Sequence, residues 1–348
     1  MLASLTLLLT ALALITEAKA SIADSCTAFK TSGKTPSTFQ YHRFYDFRNV
    51  TGTLASPAPL DSASPSAQGP ASKTVADGQW PKDWYFRDYE RKSPGGTVIP
   101  VAFTPKRISI TKSTDKSHDY ETYLSLSTAR TADEVQESAE ITYKEFQVLH
   151  ASIRVYARVS GAPGACAGIF TYYNDTQESD IEMMTKDQAG QVHYSNQPSS
   201  SGAPDWIDIP GATVNVSLAQ HGKKQWTDWH EHRLDWTAGF SAFFVDGVER
   251  NTSTLNVPSM ASEVYLDMWG ANSSWVGPMK VGMDARFDIQ WIEMLFNATG
   301  PEPQRGYGNV CEVEDKGLTS GSVRLVSDGL ASMLAWTMLL IGVVAVVG

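Results

Sequence analysis

The chain has 348 residues and a mass of 38.0 kDa, with 42% apolar, 10% aromatic and only 19% charged residues. That length can bury the core of one large all-β domain, or two smaller ones, unaided. With 28 basic against 38 acidic residues the formal charge is -10, and no Lys/Arg-rich run offers a footprint for phosphate backbones, so nucleic-acid binding is excluded.

Residues 5–16, LTLLLTALALIT, carry no charge, and Ala18-Lys19-Ala20 supplies a small-residue cleavage site before Ser21. Segment 1–20 is therefore expected to be a cleaved secretory signal peptide, although its n-region lacks Lys and Arg. Residues 21–83 read as an N-terminal extension. Its stretch 51–79 is rich in Ser, Ala and Pro and poor in large apolar residues, the composition of a long surface loop.

From 84 to 298 the composition turns to β-branched and aromatic residues interrupted by turn signals. The clearest strand is 148–159, where Leu149, Ala151, Ile153, Val155, Ala157 and Val159 alternate with His150, Ser152, Arg154, Tyr156 and Arg158. That period of two predicts a half-buried strand. Stretches 166–174, 264–269 and 285–296 also read as strands, and 240–245 with 248–252 flank an Asp246-Gly247 turn. Helical periodicity is poor, so a β-sandwich is expected.

A segment 299–320 leads to a C-terminal stretch 321–348 whose last twenty residues are uncharged. Small residues Ser320-Gly321-Ser322, a short polar spacer and a terminal apolar tail follow the grammar of a GPI-attachment signal; a retained single-span anchor is the competing reading. Six sequons, at Asn49, Asn174, Asn215, Asn251, Asn272 and Asn297, fit passage through the secretory route. Cys26 and Cys311 bracket the mature domain, and a bridge tying its two ends is expected. Cys166, in GACAGIF, reads as a buried thiol. No C-x-x-C spacing suggests zinc, no cofactor is expected, and a structural calcium is left open.

The sharpest feature is Glu178-Ser179-Asp180-Ile181-Glu182. On a strand the three carboxylates share one face while Ile181 and Met183 point into a core. The outer glutamates would have Cα atoms roughly 13 Å apart, at a rise of about 3.3 Å per residue. Side chains leaning inward bring the carboxyls near the ~5–5.5 Å of a retaining glycosidase. Their mutual repulsion raises at least one pKa, as a general acid needs. On the pentad alone, a solvated acidic strand edge is an equal alternative.

The surroundings add CAGIFTYYN upstream, and WTDWHEHRLDWTAGFSAFFVDGVER and VYLDMWGANSSWVG downstream. Together these resemble glycoside hydrolase family 16, over roughly residues 84–298 and in the right order. The family's E-x-D-x-E pentad falls on Glu178, Asp180 and Glu182. Its later strand ending in Trp-Thr matches His230, His232, Leu234 and Trp236-Thr237. Its Val-Asp-Gly hairpin matches Val245-Asp246-Gly247, and its paired tryptophans match Trp269 and Trp275. Ser179, Asp267 and the Ser/Pro-rich extension depart from the usual pattern and bear on substrate preference.

The resemblance implies an all-β, concanavalin A-like jelly-roll sandwich of two antiparallel sheets with a concave substrate cleft. It implies Glu178 as nucleophile, Glu182 as acid/base and Asp180 as the residue orienting Glu178. Trp269 shares parity with Tyr265 and Asp267 and is a candidate sugar platform; Trp275 and, within HYSNQ, Tyr194, Asn196 and Gln197 are further candidates for substrate binding. His230 and His232 read as packed histidines rather than metal ligands. The function expected is a retaining endo-β-glucanase acting on β-1,3 or mixed β-1,3/1,4 glucan at the cell surface or wall. The alternatives are a glucan/chitin transglycosylase of the same family and a non-catalytic, lectin-like binder. The partners expected are β-glucan and a membrane reached through the anchor or the apolar tail, with the protein a monomer.

Overall fold

A computed structural model describes residues 26–51, 80–299, 308–313 and 323–325, apart from short stretches at 117–119, 133–134, 146, 189, 203–204 and 219–224. The expected signal peptide, nearly all of the Ser/Pro-rich stretch, most of segment 299–320 and most of the C-terminal signal lie outside the described residues.

The first strands are β1 (Ala28–Lys30), β2 (Thr38–Phe39), β3 (Tyr41–Asp46), β4 (Trp84–Phe86), β5 (Tyr89–Arg91), β6 (Val101–Phe103) and β7 (Ile108–Lys112). Then come β8 (Thr122–Arg130), β9 (Gln136–Tyr143), β10 (Val148–Gly161), β11 (Cys166–Asn174), β12 (Gln177–Met184), β13 (Gln191–Asn196) and β14 (Thr213–Ser217). The last are β15 (His230–Trp236), β16 (Ser241–Val245), β17 (Val248–Ser253), β18 (Glu263–Trp269), β19 (Asp284–Ala298), β20 (Val310–Val313) and β21 (Val323–Leu325). Single 3-10 turns lie at Trp80–Lys82 and Pro105–Arg107.

The strands fall into two units. The smaller is a four-stranded sheet ordered β2-β1-β20-β21, with β1 parallel to β20. Cys26 and Cys311 are bonded within it, their Cα atoms 5.8 Å apart.

The larger unit is a jelly-roll sandwich. One sheet runs β4-β9-β18-β11-β12-β13-β14, antiparallel throughout. The other runs β7-β8-β19-β10-β15-β16-β17. The β5–β6 pair joins β9 in the parallel sense. The sandwich begins earlier than the sequence boundary at 84: β3 lies beside the C-terminal half of β19, and Phe47 and Trp80 enter the same core. The core between the sheets takes Ile169, Ile181, Met183, Val264 and Leu266 from one side and Ile153, Val155, Leu234 and Phe243 from the other.

Strand β10 differs from the half-buried expectation. Its core face is covered from Ala151 to Val159, and Ser152, Arg154 and Tyr156 on the opposite face are buried as well. Long side chains lie flat across the neighbouring strands there. Arg154 reaches Glu293 at 3.6 Å, and the Tyr156 ring stacks on Trp291 with centroids 5.5 Å apart. On β19 the register against β10 slips between Tyr156 and Ala157, so Ile289 and Ile292 both face the core and the alternation reverses at that bulge.

Candidate active site

The acidic pentad occupies β12, on the face turned away from the core. Ile181 and Met183 fill the core, so the period of two sends Glu178, Asp180 and Glu182 to the other side. Register fixes their neighbours: Glu182 lies opposite Gly168 on β11 and His193 on β13. Gly168 lies opposite Asp267 on β18, and Asp267 opposite Glu140 on β9. A single transverse row therefore reads Glu140, Asp267, Gly168, Glu182, His193.

Gly168 is required by this row. A Cβ there would stand 2.5 Å from Asp267 Oδ1 and 3.3 Å from the Phe170 ring.

The three carboxyls of β12 sit where two arms of an open cleft meet. One arm is lined by Arg87, Tyr89, Arg91, Glu140, Phe170, Tyr172, Tyr265, Asp267 and Trp269. The other is lined by Ser195, Gln197, Trp206, Asp208, Thr213, Asn215 and Trp275. In the first arm Phe170 stacks on Tyr265, and the Arg91 guanidinium lies 5.0 Å from the Trp269 ring centre, occupying part of that indole. In the second arm Trp206 is 66% exposed, a large indole presented to solvent at the cleft.

Burial dominates the electrostatics. It pushes Glu178 up to about 7; a hydrogen bond from Asp180 opposes the rise, and the charges of Glu182 and Asp175 add to it. Asp180 is driven well above the carboxylate range by burial and then by the charges of Glu178 and Glu182. Gln197 donates from Nε2 to Asp180 Oδ2 at 3.1 Å. Glu182 is raised by burial, while donors on its Oε1 pull it back: the Trp275 indole N–H at 3.2 Å and the Cys166 thiol at 3.4 Å.

Further along the row, burial and then the charges of Glu140 and Glu182 raise Asp267 well above its usual range, and its Oδ1 has no hydrogen-bond partner among the described residues. Burial lifts Glu140 to about 7, with Arg87 and Tyr89 opposing it.

Two sequence expectations need correction. Tyr194 and Asn196 lie opposite Ile181 and Ser179 and therefore face the interior, not the cleft. Tyr194 is 1% exposed and stacks on Phe243 at 4.6 Å. Asn196 accepts from Ser179 Oγ at 2.7 Å and donates to the Leu255 carbonyl at 2.9 Å. That pairing accommodates Ser179, the departure inside the pentad. Of the HYSNQ stretch, the cleft-facing members are His193, Ser195 and Gln197.

Several cleft residues were missed: Arg87, Tyr89, Arg91 and Trp206 lie on a short strand or in loops without a periodic pattern to place them, whereas Glu140 lies on β9, where Ala139, Ile141 and Tyr143 alternate with Ser138, Glu140 and Thr142 and could have placed it. Cys166 is a buried free thiol. His232, buried and opposite Val155, has its pKa lowered to about 3 by burial, and His230 contacts Asp246 at 2.8 Å. Among the described residues no group of three His, Cys, Asp or Glu is placed to hold a metal. Of the sequons, Asn49, Asn174 and Asn215 are exposed, and Asn215 lines the cleft. Asn272 Nδ2 donates to the Thr97 carbonyl at 2.6 Å, so a glycan on that nitrogen would displace the bond.

A jelly roll with a carboxyl-floored open cleft is the class that fold and site define. Residues 105–293, more than half of the chain, match the model of glycosyl hydrolases family 16, and the chain belongs to that family. It is 25% identical over 141 residues to the β-glucanases of Paenibacillus polymyxa and Paenibacillus macerans, a match covering 38% of this chain and 54% of each relative. The chain thus spans about half the length of these curated relatives. Among solved structures it is similar to a β-1,3-1,4-glucanase (lichenase) derived from a mouse hindgut metagenome, at 15% identity and a TM-score of 0.48, covering 74% of this chain and 99% of that one. It is also similar to the catalytic domain of an endo-1,3-β-glucanase (laminarinase) from Thermotoga petrophila, at 17% identity and a TM-score of 0.47, covering 71% and 98%.

Proposed function

We propose that the chain is a retaining endo-β-glucanase that hydrolyses β-1,3 or mixed β-1,3/1,4 glucan. The observation that carries this reading is the position of Glu178, Asp180 and Glu182 on one strand face, at the junction of two open cleft arms. A chain lying across both arms is cut internally.

In the first step the ionised Glu178 attacks the anomeric carbon while Glu182 gives its proton to the departing glycosidic oxygen. Asp180, protonated and hydrogen-bonded to Glu178, steadies the attacking carboxylate. In the second step Glu182 takes a proton from water, which opens the glycosyl ester and restores Glu178. Trp206 favours a second reading, transfer to another sugar, because an exposed indole in the arm opposite Trp269 offers an acceptor ring an apolar face.

The test is incubation with laminarin, lichenan and labelled glucan or chitin oligosaccharides, followed by product sizing and by NMR of the first anomer released. Shortened chains appearing first as the β-anomer support hydrolysis with retention. Lengthened labelled products mean transfer, binding without turnover means a lectin, and an α-anomer first would overturn the assigned roles.

The location proposed, a secreted, glycosylated protein held at the cell surface or wall by a GPI anchor, rests on the sequence of the two ends and the sequons. Release from membranes by an inositol-phospholipid-cleaving phospholipase tests it.

A further inference from the structure

Glu182 Oε1 receives two donors, one from each of two different elements. The indole N–H of Trp275 approaches at 3.2 Å from the loop after β18, and the thiol of Cys166 at 3.4 Å from β11. Both donors are themselves braced. Trp275 packs edge-on against His193 with ring centres 5.3 Å apart, and His193 is fixed to Asp187 at 2.7 Å. The loop carrying the indole is tied to the turn after β12, because Lys186 Nζ donates to the Ser274 carbonyl at 2.8 Å. Cys166 is wholly buried among Met184, Val276 and Trp269, and burial keeps its sulfur protonated and therefore a donor.

We propose that Trp275 and Cys166 are positioning residues: a two-donor clamp that fixes Oε1 of Glu182 and leaves Oε2 as the oxygen that exchanges the proton. The inference rests on the reading of Glu182 as acid/base. It replaces the expectation that Trp275 serves mainly as a sugar contact.

The clamp has an electrostatic consequence. The charged groups facing Glu182 are Glu178 and Asp180 on its own strand, Asp267 on β18, and His193 with its partner Asp187 beside β13. Burial disfavours a charge on Glu182. The hydrogen bonds from Trp275 and Cys166, and the neighbouring His193, favour it, and removing either hydrogen bond raises the pH at which the proton leaves.

The experiment reads Glu182 directly. Its carboxyl carbon is followed by NMR titration in the full chain, assigned by the signal lost in Glu182→Gln, so no turnover is needed. Trp275→Phe keeps the ring and removes the N–H, and Cys166→Ala removes the thiol. Each is expected to shift the Glu182 midpoint upward, the pair more than either, with Cys166→Ser restoring part of the shift. On glucan, kcat is expected to fall by about tenfold with KM nearly unchanged, since the acid is less well aimed, and the alkaline limb of kcat/KM moves with the titration.

An unmoved midpoint in Trp275→Phe, with a raised KM, makes Trp275 a sugar contact and overturns the clamp. Should Cys166→Ala fail to fold, the Trp275→Phe titration decides alone. A midpoint that moves while the alkaline limb stays leaves the clamp standing and removes Glu182 from its role as acid.

Discussion

At the scale of single residues, replacing the two outer glutamates tests the division of roles proposed for them. Glu178→Ala removes the proposed nucleophile and is expected to abolish glucan hydrolysis, a loss of at least about 10³-fold, while still transferring sugar from an α-glycosyl fluoride that mimics the covalent intermediate. Glu182→Ala is expected to retain more activity on an activated aryl glycoside, and added azide to yield a β-glycosyl azide. Initial rates and product NMR on the two donors check both. What parity makes legible in the sequence is the shared face, since Ile181 and Met183 mark the core side of β12; the roles themselves come from the family resemblance. Polarity misleads in HYSNQ for a physical reason. Asn196 is polar yet interior, satisfied by Ser179 and Leu255, so polarity marks neither face and only pairing with β12 tells them apart.

At the scale of elements, β11 is the strand whose flatness lets its neighbours act together. With no side chain at Gly168, the carboxyls of Glu182 and Asp267 share one floor. Gly168→Ala puts a methyl 2.5 Å from Asp267 Oδ1 and is expected to cost roughly 1–3 kcal/mol of stability. It should also raise KM for glucan more than it lowers kcat; chemical denaturation and steady-state kinetics together check this. The hairpin between β16 and β17 was readable because its Asp246-Gly247 turn needs two positive φ values, observed at 50° and 73°. Strand β19 was less so, since its bulge reverses the inward parity midway. β3 was missed because a Ser/Pro-rich stretch separates it from the rest of its sheet in sequence.

At the scale of the whole molecule, the buried carboxyls set how stability follows pH. Glu140 and Glu178 are both raised from 4.5 to about 7. A raised group contributes stability that is complete below its unfolded value and is lost as pH climbs through the folded one, here between about 4.5 and 7. For Glu140 the loss amounts to about 3 kcal/mol. Asp180, Glu182, Asp267 and Asp288, all raised, act in the same direction. His232, lowered to about 3 by burial, works oppositely: its unfolded form gains a proton below 6.5, costing about 2 kcal/mol by pH 5. Several carboxyls outweigh one imidazole until they are all protonated. The denaturation midpoint is therefore expected to be highest near pH 5 and to fall toward both pH 8 and pH 3. Glu140→Gln should flatten the alkaline side; a midpoint rising steadily up to pH 8 would contradict this account.

The bond between Cys26 and Cys311 joins positions 285 apart, and the third cysteine lies between them in the order of synthesis. A chain leaving the ribosome thus carries Cys26 and Cys166 together well before Cys311 exists. Cys166 is not shielded until β12 and β18 close over β11, after about 100 more residues, or ~5–20 seconds of elongation. Oxidation in that interval joins the wrong pair, and the error must be undone by exchange before the sandwich can close. Nascent chains are expected to show a transient Cys26–Cys166 link on non-reducing gels. Cys166→Ser should remove it and lessen the dependence of folding on a disulfide isomerase. The same thiol that donates to Glu182 in the finished protein is then, for a few seconds, a hazard in making it.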